Sequence, residues 1–325
     1  MSKPNKFLLL ALGLVTLFVA PFGQGNYIIY VLCSWLVFSI AAMGLNLTLG
    51  YAGQVSLAQA AFMGIGAYVT ALITMAGISW FLAMPAAVLS CFVIGLILGY
   101  PALRVQHHFL AFVTLAFNTL VFLVLRNEEW LTGGSFGLVP IPRPTIFGLS
   151  LNSQFAFYYF ALVCFLVAAG VMAWIVHSPW GRGFKALREN PIRANSLGLN
   201  TRRMTLLAFA IGSAFGGLAG ALVAPLVQFI EPGSFTLIHS LKILLMVIVG
   251  GSGFYFGPFL GAALVVLLPE MLRFTDGYYL IIYAAFVLVL LVFSPTGLIG
   301  LGEKITTNLR AQRVARNDLK NGAQL

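Results

Sequence analysis

The side chains able to do chemistry in this sequence fall into two groups. In the first, neutral polar residues interrupt long apolar runs: Asn46, Gln54, Ser56 and Gln59 in the N-terminal third, then Thr114 and Asn118. Amides and hydroxyls offer donors and acceptors without charge. Inside hydrocarbon such groups face the interior of a helix bundle. There they either line a neutral polar path for a zwitterion or small polar solute, or hydrogen-bond between helices. Ser56 and Gln59 are three apart, a spacing that places both on one face of a helix.

The second group is a basic stretch, Gly181-Arg182-x-x-Lys185-Ala186-x-Arg188-Glu189-Asn190-Pro191, running into Ile192-Arg193-Ala194-Asn195-Ser196-Leu197-Gly198. Charge content alone fits a solvated loop. The residue order fits a short capped helix instead: Asn190 accepts free N–H groups as N-cap, Pro191 is pre-set for the first helical position, and Gly198 takes the left-handed conformation that ends the helix. A rigid basic helix outside the membrane, joined at both ends to spanning helices, is a lever on which a soluble protein can push.

Several chemistries lack their residues. No Asp or Glu is central to any apolar run, so proton or sodium coupling is without its usual carboxylate. No cluster of nucleophile, base and metal ligands is visible, so an enzyme is not expected. The glycine cluster at Gly250-Gly251-Ser252-Gly253 has neither the lysine nor the hydroxyl of a phosphate-binding loop, so this chain is expected to hydrolyse no ATP and to bind no cofactor. Cys33, Cys91 and Cys164 each lie in an apolar run with no paired cysteine, and read as small apolar filler. His107 and His108 are adjacent, so on a helix their rings diverge by about 100° and cannot share a metal. Lys242 and Glu270 lie near helix ends, where long side chains reach the interface.

The elements that must position these groups follow from composition. Hydrophobic residues make up 60% of the 325 positions and charged residues 8%, too few to solvate a globule of this size, so the bilayer is the solvent. The apolar runs are 7–22, 27–49, 55–76, 80–99, 108–125, 155–176, 204–229, a short one at 240–250, 257–273 and 278–294. The expected fold is therefore all-α, a single polytopic transmembrane bundle of about ten spanning helices over 1–325. The first run is expected to be retained, because Phe18 is too bulky three residues before a cut at Ala20.

Charge decides whether 240–250 crosses. With ten crossings both termini are cytoplasmic, and fourteen of the eighteen basic residues lie inside: Lys3, Lys6, Arg104, six in the loop 177–203 and five in the basic tail 296–325. Five of the eight acids, Glu128, Glu129, Glu231, Glu270 and Asp276, then fall outside. The formal charge of +10 sits between apolar runs without base-reading side chains, so nucleic acid is excluded as a partner. Glycines at Gly95/Gly99, Gly212/Gly216/Gly220 and Gly253/Gly257/Gly261 are spaced by four, a pattern that lets neighbouring helices approach closely. Pro258 and the Gly250 cluster point to a bend at the third. The outer loop 126–154, with Thr132-Gly133-Gly134-Ser135-Phe136-Gly137 and Pro140, Pro142 and Pro144, turns too sharply to continue a helix.

Order and spacing carry a family resemblance over roughly residues 41–300. Gly44-Leu45-Asn46-Leu47 precedes Gly50-Tyr51-Ala52-Gly53-Gln54-Val55-Ser56-Leu57 and Phe62-Met63-Gly64-Ile65-Gly66-Ala67-Tyr68. Leu131-Thr132-Gly133-Gly134, Gly181-Arg182 through Gly198-Leu199, Leu218-Ala219-Gly220-Ala221, Leu244-Leu245-Met246-Val247 and Gly250-Gly251 to Gly257-Pro258 follow. The sequence resembles the LivM-type permease subunits of branched-chain amino acid ATP-binding-cassette importers. It departs where many relatives resemble Leu-Arg-x-Arg-Gly-x-Tyr, having Leu103-Arg104-Val105-Gln106-His107-His108-Phe109 instead, and it carries Arg193 and Asn195 where relatives often have small or acidic residues.

The resemblance implies a bacterial inner-membrane permease that forms half of a translocation pathway by alternating access. Its partners would be a related second permease, two nucleotide-binding subunits that use the ATP, and an extracytoplasmic solute-binding protein. It implies that Arg182, Lys185, Arg188, Glu189, Pro191, Ala194, Leu197 and Gly198 couple to the ATPases. Asn46, Gln54, Ser56, Gln59, Thr114 and Asn118 are the expected pathway residues. Branched-chain or other hydrophobic amino acids are the first expected cargo; urea, short amides and aromatic acids are alternatives, and a secondary transporter or channel is the rival class.

Overall fold

A computed structural model describes residues 13–102, 110–146, 149–273, 278–294 and 297–300. Every one of the ten apolar runs carries a helix there, the first described only over 13–19. The others are α1 (Asn26–Asn46), α2 (Gln59–Met75), α3 (Trp80–Ala102), α4 (Leu110–Asn127) and α5 (Gln154–His177). Next come two short helices, α6 (Pro179–Glu189) and α7 (Pro191–Ser196), then α8 (Thr201–Val227), α9 (Leu237–Gly250), α10 (Gly257–Met271) and α11 (Tyr279–Phe293). The chain is an all-α polytopic membrane protein. Helices surrounded by lipid and other helices are apolar on every side, whereas α6 is amphipathic, burying Gly181, Gly183, Phe184 and Leu187 against a basic outer face.

Six segments are long and apolar enough to cross a membrane: Asn26–Tyr51, Trp80–Pro101, Leu110–Asn127, Gln154–His177, Thr201–Val227 and Pro232–Gly250. Three shorter apolar helices, Gln59–Met75, Gly257–Met271 and Ile281–Leu290, accompany them. The run at 240–250 is longer than its hydropathy indicated, because a 3₁₀ turn at Pro232–Phe235 leads into α9 and extends the apolar segment to 19 residues. Conversely, the run at 55–76 is helical only from Gln59, so Ser56 and Gln59 do not share a helix face. Arg202 and Arg203, read as loop, form the first turn of α8, where the Asn200 side chain accepts from the Arg203 N–H at 3.0 Å.

The centre of the bundle is α1 and α8, each two-thirds buried, against less than a third for α3 and α4. Glycine makes that core possible. A Cβ on Gly212 would stand 2.7 Å from the Gly44 carbonyl oxygen and 2.8 Å from Thr48 Cγ2, and one on Gly217 would stand 2.7 Å from Cys91 Sγ. Gly216 and Gly220 face α2 at Phe62 and Met63, and Gly95 faces Ser213. The third glycine series divides: Gly257 and Gly261 pack on α9, but Gly253 belongs to the loop before α10, with φ +86°. Indoles within the bundle find carbonyl partners, half-buried Trp35 on Phe259 at 3.1 Å and buried Trp80 on Ala221 at 3.0 Å, as groups removed from water must. Tyr158 and Tyr159 of α5 donate to the carbonyls of Leu17 and Phe18, tying the 13–19 segment to the bundle.

The loop 126–154 turns as its glycines require, with Gly133, Gly134 and Gly137 all at positive φ. It adds a feature the sequence did not announce, a two-residue hairpin pairing Thr145–Ile146 with Leu149–Ser150. Arg143 braces it, donating to the carbonyls of Leu151 and Asn152, and burial pulls its guanidinium below the usual arginine range. Lys242 is exposed, and Glu270 pairs with Arg273 at 3.3 Å. Lys3, Lys6, Arg104, His107, His108, Asp276 and the tail beyond 300 lie outside the described residues.

Candidate functional site

The site begins where α1 loses its regular winding. Its last turn widens into a π-turn over Leu47–Tyr51, and the chain then runs irregularly through Gly53, at φ +72°, to Ala58 before α2 starts. A helix that starts inside a membrane exposes its first N–H groups to a medium that cannot solvate them. Neighbouring helices supply the acceptors. Thr114 Oγ1 on α4 accepts from the Leu57 N–H at 3.0 Å, and Asn118 Oδ1, one turn along the same face, accepts from the Ala61 N–H at 3.0 Å. Ser240 Oγ on α9 accepts from the Ala60 N–H at 2.9 Å and donates to Asn118 Oδ1 at 3.1 Å. Ser240 is a member of this cluster that sequence reasoning missed; its signal was a hydroxyl at the head of the short run 240–250.

The remaining polar residues near the break are also engaged. Ser56 Oγ accepts from the Ala58 N–H at 3.4 Å. Gln59 Nε2 donates to the carbonyls of Ala41 at 2.9 Å and Gly212 at 3.3 Å, bridging α1 and α8. Asn46 mimics a peptide group: Nδ2 donates to the Phe254 carbonyl at 3.0 Å and Oδ1 accepts from the Gly253 N–H at 2.9 Å, which fixes the α9–α10 loop against α1. Gln54 Nε2 donates to the Thr205 carbonyl at 3.3 Å, while its buried Oε1 has no protein partner. All six residues are buried, and each makes at least one hydrogen bond across or beside the break.

Below the break stands the α6–α7 pair. Ser178 caps α6 through the Trp180 N–H, with Pro179 in the first position. Asn190 caps α7 through the Arg193 N–H at 3.0 Å, Pro191 opens it, and Gly198 at φ +85° follows it, the arrangement its residue order predicts. Arg182, Lys185, Arg188, Glu189, Leu197 and Gly198 are exposed, Pro191 is half-buried, and Ala194 turns inward. Ile192, not singled out from the sequence, is 79% exposed and Leu197 is 82% exposed, so α7 and its C-cap present two aliphatic side chains to solvent.

The break and the α6–α7 pair touch. The Arg188 guanidinium donates to the Gly50 carbonyl, and Lys185 Nζ lies 5.7 Å from the centroid of the Tyr51 ring. Gly50, Tyr51, Lys185, Arg188, Glu189 and Gly253 line a half-open cavity of about 290 Å3. Among the described residues no group of His, Cys, Asp or Glu is placed to hold a metal ion.

A family model described as branched-chain amino acid transport system / permease component matches residues 27–295. The high-affinity branched-chain amino acid transport system permease protein LivM of Escherichia coli K12 is 33% identical over 90% of this chain and 74% of its own length. The high-affinity branched-chain amino acid transport system permease protein BraD of Pseudomonas aeruginosa is 26% identical over 82% of this chain and 92% of its own length. The autoinducer 2 import system permease protein LsrC of Salmonella typhimurium is 26% identical over 94% and 89%. No solved structure matches.

Proposed function

This chain belongs to the branched-chain amino acid transport permease family, and from that premise we propose that it forms one half of the membrane pathway of an ATP-driven importer of branched-chain or other hydrophobic amino acids. It is a transport permease and not an enzyme. In this reading a second, related permease completes the pathway, two nucleotide-binding subunits dock below α6 and α7, and an extracytoplasmic binding protein delivers the solute. Both termini lie in the cytoplasm, as the distribution of basic residues favours.

The observation that carries the reading is the α6–α7 pair. A capped helix with exposed Ile192 and Leu197 at its two ends, beside exposed Arg182, Glu189 and Arg193 of the same pair, offers apolar and charged groups of the kind a protein-binding surface uses. The pair is joined to α5 through Ser178 alone and to α8 through residues 197–200. Ile192 and Leu197 would anchor in the ATPase, and closure of the nucleotide-binding subunits would reach the bundle through α6. The polar residues at the break would lie on or beside the moving path, because hydrogen bonds between helices are what must be exchanged when helices rock.

The test is uptake of labelled leucine by proteoliposomes holding the assembled complex. ATP inside the cytoplasmic compartment and the binding protein on the other face should both be required. Ile192→Glu with Leu197→Glu should weaken capture of the ATPase subunits about tenfold or more, since each buried aliphatic anchor is worth about 1.5 kcal/mol or more. Uptake that ignores ATP and follows a proton or sodium gradient would overturn the reading. An autoinducer 2 import permease is among the proteins this chain is similar to, so the cargo is read from a ligand screen on the cognate binding protein.

A further inference from the structure

We propose that Arg188 is a positioning residue for transport: it acts through an intrachain tie to the broken end of α1, and not through contact with an ATPase subunit. The proposal rests on the importer reading above and assigns one residue within it.

Three features of the break converge on this side chain. First, the Gly50 carbonyl has lost its helical partner. In a continuing α-helix it would receive the Gln54 N–H, but that N–H goes to the Thr48 carbonyl at 2.8 Å, and the Ala52 N–H goes to Leu47 at 3.1 Å. The Arg188 guanidinium fills the vacancy. Second, two glycines make room for it and a third is hemmed in beside it. A Cβ on Gly53 would stand 3.3 Å from Arg188 Cγ, a Cβ on Gly253 would overlap Arg188 Nη1, and Gly50 itself would collide with Asn46 and Gly253 if it had a side chain. Third, Asn46 grips Gly253 and Phe254 from the other side, so Gly50 is held between Asn46 and Arg188, with the α9–α10 loop in the same clamp.

The tie therefore joins α6 to two interruptions of the bundle at once, the π-turn of α1 and the loop entering α10. Its mount is stiff, because Phe184 and Leu187 of α6 are buried and the Ser178 hydroxyl fixes the α5–α6 corner by donating to the Ile175 carbonyl at 2.7 Å. Lys185, one turn earlier, lies over Tyr51 and marks a second contact with the same turn. Among the described residues Arg188 makes no ion pair; it holds a neutral carbonyl beside a cavity of about 290 Å3. A bond of that kind transmits displacement when α6 moves, yet can be exchanged within the cavity during a cycle. A carboxylate clamp would hold more firmly.

The experiment uses the assembled complex in proteoliposomes, with ATP hydrolysis and leucine uptake measured on the same preparation, comparing wild type, Arg188→Met and Arg188→Lys. Expected are normal retention of the ATPase subunits in both variants, ATP hydrolysis within about twofold of wild type, and uptake per ATP reduced about tenfold in Arg188→Met, within the range of coupling between linked sites. Arg188→Lys should fall between, because a point donor reaches one carbonyl but lacks the planar fork. Unchanged uptake per ATP in Arg188→Met overturns the proposal, and so does loss of the ATPase subunits from Arg188→Met with normal retention by Arg188→Lys, which would make the residue a docking contact. If Arg188→Met is not recovered, Arg188→Lys decides alone, and a wild-type ratio there is refuting. A wild-type complex that moves no solute with ATP refutes the importer reading itself and this inference with it.

Discussion

Replacing Asn118 with Leu separates the two roles that buried polar residues can have at a helix break. The substitution keeps the side chain near its original size but deletes the acceptor used by the Ala61 N–H and the Ser240 hydroxyl. A buried donor left unpaired costs about 1–3 kcal/mol. The Ser240 hydroxyl can rotate toward another acceptor, so the full penalty falls on the Ala61 N–H and part of one on Ser240, together about 2–4 kcal/mol. Separated helices in detergent also find some polar partners, which draws the figure toward its lower end. At roughly 2 °C per kcal/mol for a chain of this size, the apparent Tm of the purified protein should drop by about 4–8 °C. Thr119→Val is the control, because that hydroxyl is exposed and bonds only the carbonyl of Leu115 on its own helix, so its shift should stay below about 1 °C. If Asn118→Leu melts like Thr119→Val, the start of α2 is not held by this residue and the account of the break is wrong. Normal melting with altered uptake of leucine would instead make Asn118 part of the solute path.

Two further outcomes test the packing and the orientation. Gly212→Val should prevent accumulation of folded protein, because its side chain must occupy the space of the Gly44 carbonyl, whereas Gly170→Ala, with nothing within 4 Å of the new methyl, should raise stability by about 0.5–1 kcal/mol; equal yields for the two would refute the close α1–α8 contact. Single cysteines at Ser196 and Phe136, both exposed, should react with an impermeant maleimide only from the cytoplasmic and the outer side respectively, and the reverse pattern would invert the topology.

Much of this architecture is legible in the chain itself. Hydropathy locates the ten helical runs, and three residue types, Asn190, Pro191 and Gly198, define α7 before any coordinates, because capping is local chemistry. What hydropathy cannot see is where a helix starts within an apolar run. Val55, Leu57 and Ala58 are as apolar as the helix that follows, and only Gly53 at positive φ marks the interruption. The short run at 240–250 shows only part of its span, because the apolar segment opens on a 3₁₀ turn at Pro232–Phe235 that hydropathy of the run itself does not include. Partnerships across the fold are harder still. Nothing near Arg188 in sequence points to Gly50, 138 residues away, nor does anything near Ser240 point to Ala60. Those pairings follow from which helices lie side by side, a relation that residue type and charge along the chain do not encode.

The sealing of α2 by residues from later helices also sets an order of events during synthesis. The N–H of Ala61 finds its acceptor only after 57 more residues have been made, and that of Ala60 only after 180 more. At about 5–20 residues per second, Ser240 emerges roughly 10–40 s after Ala60. For that interval the segment that forms α2 sits in the bilayer or its insertion channel with an unfinished end. Helix insertion and helix completion are thus separate stages for this chain, and a ribosome stalled before residue 240 would leave a polypeptide that is in the membrane but not yet folded.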